Sequence, residues 1–230
     1  GIDLLRAINL SRRVKDPQYK SMLQQALPKG AATRVAVLGG GNTAMDVSRS
    51  LRRLGVKDVR ILYRRTRAEM PAMPEEIEDA EQEGVGIEYL VSPVRILGNE
   101  KTGVRGLECI RMKLGEPDSS GRRRPVPIAG SEFVIKLDRV VLAIGQAPDL
   151  DFLGPEHPIA ITRSERINVA DVSFMTNRPG VFAVGDAVTT DKMVVIEAIG
   201  MGKQAAAAID AYLKGQLPQE LVVDAREVPI

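Results

Sequence analysis

At 230 residues, 44% of them apolar, the chain is long enough to bury the core of one or two globular domains. Its 32 Lys and Arg residues nearly balance 30 Asp and Glu residues, and the formal net charge of +2 argues against a nucleic-acid partner, because phosphate binding usually shows as a clustered excess of positive charge. One cysteine, Cys109, and one histidine, His157, exclude an intrachain disulfide, a four-thiolate iron–sulfur site and a structural zinc site built from this chain.

The sequence shows no membrane segment. Its apolar runs fall short of the roughly 18 residues that suggest a membrane span, and its first residues do not resemble a secretory signal. We therefore expect a cytoplasmic protein with no membrane partner and no metal of its own. A short basic run, residues 122–124, lies in a stretch rich in Gly, Ser and Pro and is interpreted as a solvated hairpin tip.

The first part of the chain alternates predicted helices and strands. In order, the predicted elements are an amphipathic helix over residues 3–13, a polar connection over 15–33, a strand over 34–38, a helix over 42–54, a strand over 59–63 and a charged helix over 75–83. The helices are recognised by apolar residues at helical spacing and by the glycines that follow the last two of them. The first strand is β-branched and apolar throughout, which is typical of a buried parallel strand.

The pattern then changes to strands linked by Gly-rich turns, which predicts an antiparallel meander. Its predicted strands cover residues 87–97, 104–114 and 132–136. Two apolar runs follow, residues 139–144 and 181–184, and each predicts a buried strand that ends at a glycine. Residues 196–213 predict a last long helix. The expected fold class is therefore α/β and Rossmann-like, with a parallel sheet and an antiparallel meander.

The segment Gly39-Gly40-Gly41-Asn42-Thr43-Ala44 lies between a predicted strand and a predicted helix and matches the G-x-G-x-x-G/A dinucleotide fingerprint. Gly39 would make the tight turn, Gly41 would let the pyrophosphate approach the main chain, and Ala44 would let the helix pack closely on the sheet. The N–H groups at the start of the helix would then face the phosphates. The alternative is a glycine-rich turn that only connects two core elements.

The end of the second strand indicates which nicotinamide cofactor is bound. An NAD site usually has a carboxylate about 20 residues beyond the glycines, where it binds the ribose 2′-hydroxyl. Here Arg64 and Arg65 occupy that place, and their guanidinium groups could bind a 2′-phosphate, so we expect NADP(H). The alternative is that one or more of these arginines only pairs with Glu69, Glu75 or Glu76.

Several blocks of sequence together resemble one known family. They are residues 39–46, 63–66, 69–72, 142–148, 180–186 and 195–198. In these blocks and in their order, the sequence resembles the glutamate synthase small-subunit family, a group of NADPH- and FAD-dependent oxidoreductase subunits. The blocks span nearly the whole chain, so the resemblance is specific.

The resemblance implies a flavoprotein with two dinucleotide-binding domains, the NADPH domain being inserted into the FAD domain. It places Ile144 and Gly145 near the nicotinamide. It also implies that Gly185 and Asp186 meet the FAD, with Asp186 accepting a hydrogen bond from the ribityl or phosphate region. The last helix would begin beside the flavin ring, at Val195 to Ala198.

The same resemblance implies the path of the electrons. They would pass as hydride from NADPH to FAD and then singly through iron–sulfur clusters to a larger catalytic subunit. Such a transfer depends on the orientation of the cofactors more than on acid–base groups, so we predict no catalytic residue in this chain.

The sequence departs from the family pattern because the iron–sulfur segment and the first, FAD-binding glycine turn are missing. We divide it into a hinge helix and linker (1–33), an NADP(H)-binding domain (34–146) and the C-terminal half of the FAD-binding domain (147–230). Strands of this last part lack the strands they should pair with. Their backbone N–H and C=O groups would then be unpaired, which lowers stability. We therefore expect a truncated chain or half of a split protein, completed by a missing N-terminal segment, a separate subunit or self-association into a homo-oligomer. Alone, it should bind NADP(H), hold FAD poorly and be inactive.

Two other functions stay open from sequence alone. A flavin-independent NADP(H) reductase would need a proton donor beside the nicotinamide, and Tyr63, Tyr89 and Tyr212 lie in no recognisable catalytic spacing. A non-enzymatic fragment that binds or senses NADP(H) would need only the dinucleotide site.

Overall fold

Three of the predicted strands, at residues 34–38, 59–63 and 139–142, lie in one parallel sheet. A computed structural model describes residues 1–27, 34–118, 121–154, 158–188 and 194–216, and the chain divides into two units, Gly1–Gly145 and Gln146–Ile230. The helices of the first unit are α1 (Ile2–Arg13), α2 (Pro17–Ala26), α3 (Asn42–Arg53) and α4 (Pro74–Gln82). Its strands are β1 (Arg34–Leu38), β2 (Asp58–Tyr63), β3 (Gly86–Tyr89), β4 (Val91–Asn99), β5 (Gly103–Pro117), β6 (Arg123–Pro127), β7 (Phe133–Lys136) and β8 (Arg139–Leu142).

The parallel sheet has the strand order β3-β2-β1-β8. Val37 in the centre of β1 pairs with Ile61 of β2 and with Val141 of β8. Helix α3 covers this sheet with Met45 and Leu51, which are fully buried in the same core as Val37. Burial of a side chain of this size contributes about 1.5–3 kcal/mol. The predicted strand–helix–strand order is confirmed.

The residues before β1 pack onto the first unit. Leu4 and Ile8 of α1 are buried in the core of the parallel sheet. The interpretation of residues 15–33 as a polar connection is wrong over Pro17–Ala26, which form α2. This helix begins in the ordinary way: Pro17 is its first residue, and the Asp16 carboxylate accepts a hydrogen bond from the N–H of Gln18 at 2.8 Å.

The antiparallel meander is confirmed, with two corrections. Strand β5 pairs antiparallel with β4, β6 and β7. The single strand predicted over residues 87–97 is wrong, because the chain turns at Leu90, which has a φ of 57°. The part before this residue, β3, belongs to the parallel sheet, and the part after it, β4, starts the antiparallel one. Strand β6 was not predicted, and two of the three arginines interpreted as a solvated hairpin tip lie in it.

Strand β8 lies at the edge of the parallel sheet. The prediction of a buried strand over residues 139–144 is wrong at its end, since Leu142 is 54% exposed and Ile144 74% exposed. An edge strand has a sheet neighbour on one side only, so its apolar side chains need not all be covered.

The second unit contains one long helix, α5 (Val195–Leu213). The buried strand predicted over residues 181–184 is wrong: Phe182 forms only an isolated bridge with Met175, and its ring packs edge-on against Tyr212. A strand requires neighbours for its N–H and C=O groups, and the described part of this unit offers only this bridge and one between Ile161 and Ile167. Within the described ranges, no helix is long and apolar enough to span a membrane, and no His, Cys, Asp and Glu side chains cluster as a metal site requires.

Candidate dinucleotide-binding site

The glycine turn joins β1 to α3 at the carboxyl edge of the parallel sheet. Gly39 has a φ of 140°, and a Cβ there would lie 2.1 Å from the carbonyl oxygen of Ala143. A Cβ on Gly40 would lie 2.6 Å from the ring of Tyr63. The fold itself therefore requires glycine at both positions.

Gly41 is different, because the fold does not require it. Its φ of −93° suits any residue, and a Cβ there would meet nothing nearer than the Cγ atom of Pro71, at 3.9 Å. The missing side chain leaves open space in front of the helix. A main chain that a ligand approaches closely explains glycine at such a position.

The start of α3 faces this open space. Gly41 precedes the helix without a side-chain cap, and the first turn carries no acidic residue. Ala44 is fully buried against the sheet, as the fingerprint requires, while Asn42 and Thr43 are half-buried at the mouth. The N–H groups of Ala44 and Met45 donate to the carbonyl oxygen of Gly41. The positive end of the helix dipole and the N–H groups of Asn42 and Thr43 are therefore the ones available to an anion such as a pyrophosphate.

The segment after β2, residues 64–73, lies beside the glycine turn and is here called the wall. The hydroxyl of Tyr63 donates a hydrogen bond to the carbonyl oxygen of Glu69 at 2.6 Å, and the N–H of Ala72 donates to the carbonyl oxygen of Gly40 at 3.1 Å. Further along, the N–H of Met73 donates to the side-chain oxygen of Asn42 at 2.9 Å. From sequence alone, residues 69–72 contributed to the resemblance and Glu69 was a possible partner of the arginines, but this role was missed.

A capping box holds the wall in shape. The Glu69 carboxylate accepts hydrogen bonds from the hydroxyl and the N–H of Thr66. The hydroxyl contact contributes most to a pKa of Glu69 below the usual value. The Thr-x-x-Glu spacing is the signal from which this turn could have been predicted.

Ion pairs between side chains also connect α3 to α4, the helix that follows the wall. The Arg49 guanidinium contacts the carboxylates of Glu76, Asp79 and Glu83, the last two at 2.9 Å each. Hydrogen bonds from Arg53 and then Arg49 hold the pKa of Glu83 below its usual range. The wall is thus anchored at its far end as well.

The predicted nicotinamide-side residues follow β8 at the same edge of the sheet. The N–H of Ala143 donates to the carbonyl oxygen of Leu38 at 2.8 Å, so the chain runs beside the glycine turn. Ile144 then projects into solvent, and Gly145 has a φ of 103° with open space around it. The structure therefore brings Ile144 and Gly145 to the edge that carries Gly39.

The two arginines after β2 have different surroundings. Arg64 is exposed. Arg65 is only 5% exposed, and its guanidinium donates to the carbonyl oxygen of Arg123 and to the carboxylate of Asp118, both at 2.7 Å. Arg65 therefore does not pair with Glu69, Glu75 or Glu76, and for this arginine that alternative is wrong. Binding of a 2′-phosphate by either arginine stays a prediction.

In the second unit, two of the predicted FAD residues lie together. Gly185 has a φ of 69°, and a Cβ there would lie 3.4 Å from the Cβ of Ala198 in the first turn of α5. The side chain of Asp186 is exposed, whereas its carbonyl oxygen accepts a hydrogen bond from the Arg166 guanidinium. Val195, at the start of α5, is 76% exposed.

Comparison with known proteins places these features in a family. Residues 7–208 match the sequence profile of the family described as pyridine nucleotide-disulphide oxidoreductase. The beta subunit of the NADP(+)-dependent formate dehydrogenase of Moorella thermoacetica is 47% identical over 214 residues, which cover 93% of this chain and 28% of that protein. The glutamate synthase [NADPH] small chain of Azospirillum brasilense is 40% identical over 196 residues, covering 85% of this chain and 40% of that protein.

A comparison with solved structures bears on the fold. FprA of Mycobacterium tuberculosis, solved in complex with NADPH, matches 86% of this chain and 57% of its own with a TM-score of 0.63 and 16% identity, which supports the fold. The present chain spans only 28% and 40% of the length of the two relatives above. The predicted fold class and the resemblance to the glutamate synthase small-subunit family are confirmed. The chain belongs to the pyridine nucleotide-disulphide oxidoreductase family.

Proposed function

We propose that this chain is the NADP(H)-binding part of a flavin-dependent oxidoreductase, in which NADPH gives a hydride to FAD. The electrons would continue singly to iron–sulfur clusters of a glutamate synthase-like complex, held by a segment or subunit outside this chain. Two relatives support this proposal, since their names describe NADP-linked subunits of larger enzymes. FAD would supply the conversion of a two-electron donor into single electrons, and this chain would orient the nicotinamide.

The observation that carries the proposal is the open space at Gly41. The fold explains Gly39 and Gly40 by close contacts, but it offers no contact that explains Gly41. The free start of α3 faces the same space. A dinucleotide pyrophosphate accounts for both features, because it needs close main-chain approach and unpaired N–H donors.

The second unit fits the proposed role as the C-terminal half of an FAD-binding domain. Its predicted FAD residues Gly185 and Ala198 are adjacent, and large apolar side chains at the start of α5 are exposed, with Val195 at 76% and Ile196 at 73%. Exposed apolar residues of this size are typical of a surface that another segment or a ligand covers.

The structure offers no free proton donor for a flavin-independent reductase at Tyr63 or Tyr212. A flavin-independent reductase needs a free proton donor at the nicotinamide edge. The Tyr63 hydroxyl, which lies nearest to the glycine turn, is used in its hydrogen bond to Glu69. Tyr212 packs edge-on against Phe182 in the second unit.

Replacement of Gly41 by alanine tests the proposal. The fold has room for a Cβ at this position. A loss of NADPH affinity must therefore come from contact between the added methyl group and the ligand. We expect Gly41→Ala to weaken NADPH binding at least about tenfold in isothermal titration calorimetry, or about 1.4 kcal/mol, while its melting temperature stays within a degree or two of wild type. Gly86→Ala is the matched control, because a Cβ there meets only side-chain and strand atoms at 3.7 Å or more. Equal NADPH affinity in wild type and Gly41→Ala would refute the proposed site.

A further inference from the structure

Arg65 links two parts of the first unit. It stands two residues after the end of β2, where its guanidinium bonds the main chain of Arg123 through Nε and the carboxylate of Asp118 through Nη2. Its own carbonyl oxygen accepts a hydrogen bond from the N–H of Leu90 at 3.1 Å, at the corner between the two sheets. The side chain of Arg65 therefore fastens the β5–β6 hairpin to the end of the parallel sheet, and its main chain fastens the corner between β3 and β4.

These bonds leave Arg65 poorly suited to hold a ligand. The side chain is 6% exposed, and that of its partner Asp118 is 22% exposed. Swinging the guanidinium outward would break two short hydrogen bonds and leave a half-buried carboxylate and a carbonyl oxygen without this donor, which is costly. The predicted role of Arg65 as a direct phosphate ligand thus conflicts with the way it is packed.

The hairpin that Arg65 holds carries another cation. The Arg123 guanidinium donates to the carbonyl oxygens of Leu114 and Gly115, at 3.2 Å each. These acceptors are neutral, so they orient the side chain without cancelling its charge. That charge lies close enough to Glu69 to help lower the pKa of this carboxyl, after the larger effect of Thr66. The hydrogen bond from Arg65 to its carbonyl oxygen places the main chain of Arg123 beside the residue that follows the exposed Arg64.

We propose that Arg65 is a positioning residue, which holds the β5–β6 hairpin so that Arg123 joins Arg64 in attracting the 2′-phosphate of NADP(H). The inference rests on the proposed NADP(H) site and adds a specificity element to it. The preference for NADPH over NADH then depends on a hairpin whose contact with Arg65 spans more than fifty residues of sequence.

The test compares affinities for NADPH and NADH by calorimetry, using the whole chain. Arg65→Lys keeps the charge but cannot make both hydrogen bonds, and Arg123→Ala removes the proposed ligand. Each substitution should weaken NADPH binding about five- to tenfold, as expected for the loss of one charge-assisted hydrogen bond, and leave NADH binding nearly unchanged. Because Arg65 acts through Arg123, the double variant should lose little more than Arg123→Ala alone. Arg95→Ala, on the same antiparallel sheet and paired with Glu108, is the control and should leave both affinities unchanged.

Amide hydrogen exchange without nucleotide supplies the second readout. We expect β6 to exchange faster in Arg65→Lys than in Arg123→Ala, because residue 123 keeps the carbonyl oxygen that Arg65 holds even when its side-chain bonds to Leu114 and Gly115 are lost. Asp118→Asn, which weakens the same contact, should also speed exchange there, so it replaces Arg65→Lys if that variant does not fold. Losses that multiply in the double variant, or unchanged β6 exchange in Arg65→Lys, would overturn the inference. A wild-type chain that does not prefer NADPH over NADH would instead refute the proposed function itself.

Discussion

Replacing Gly40 with alanine tests whether the glycine turn is fixed by the aromatic ring beneath it. A Cβ at this position would lie 2.6 Å from Cδ2 and Cε2 of Tyr63. The ring cannot easily move, because it is 6% exposed and its hydroxyl bonds the carbonyl oxygen of Glu69. Gly40 is not among the glycines with a positive φ, so alanine adds no backbone strain. The whole cost should therefore come from the contact with the ring.

The size of this cost follows from two contributions. Forcing a methyl group into a packed core typically costs 1–3 kcal/mol, as a rough range, and displacing the ring would also weaken a hydrogen bond worth about 1 kcal/mol. We expect Gly40→Ala to lower the free energy of unfolding by about 2–3 kcal/mol. In a Tyr63→Ala background the obstacle is gone, so the same change should cost less than about 0.5 kcal/mol.

Urea unfolding of the four chains, followed by far-UV circular dichroism, measures this coupling. The m-values should agree among variants, which shows that each unfolds over the same surface. Hydrogen exchange in α3 assigns the change to the first unit. If Gly40→Ala costs the same with and without the Tyr63 ring, the ring is not the obstacle and the argument fails.

Two further predictions concern charge and burial. Arg49→Ala should lower the free energy of unfolding by about 1 kcal/mol, because three carboxylates lose their shared cation; a melting temperature equal to wild type would contradict this. The thiol of Cys109 is fully buried, and burial raises its pKa to about 11, so iodoacetamide at pH 8 should label it only after unfolding. Because the unfolded thiol ionises first, the free energy of unfolding should fall between about pH 9 and pH 11, and more steeply than in Cys109→Ala; rapid native labelling would refute this account.

Local signals were sufficient to predict the nucleotide-binding part of the fold. Strands β1 and β2 are short apolar runs, and α3 has an apolar face with a glycine after it. The fingerprint needs only these neighbours to be recognised. Helix α2 was missed although Asp16 and Pro17 mark its start, because its polar composition outweighed the capping signal in the interpretation.

The remaining errors come from contacts that are distant in sequence. Nothing between residues 87 and 97 marks Leu90 as the corner where the chain leaves the parallel sheet. The partner of Arg65 is 53 residues away, so sequence spacing could suggest only the nearby glutamates. The run at residues 181–184 has the composition of a buried strand, but a strand also needs neighbours, which composition does not reveal.

The wall after β2 explains why the glycine turn and the arginines should act together. Tyr63 ends β2, supports Gly40 with its ring and holds Glu69 with its hydroxyl, while Ala72 bonds back to the glycine turn. Arg64 follows the same strand end, so the donors proposed for the pyrophosphate and for the 2′-phosphate share one support. A ligand that binds a site ordered in advance loses less affinity to the ordering of protein groups. Replacing Tyr63 by alanine should therefore weaken NADPH binding at both proposed phosphate positions.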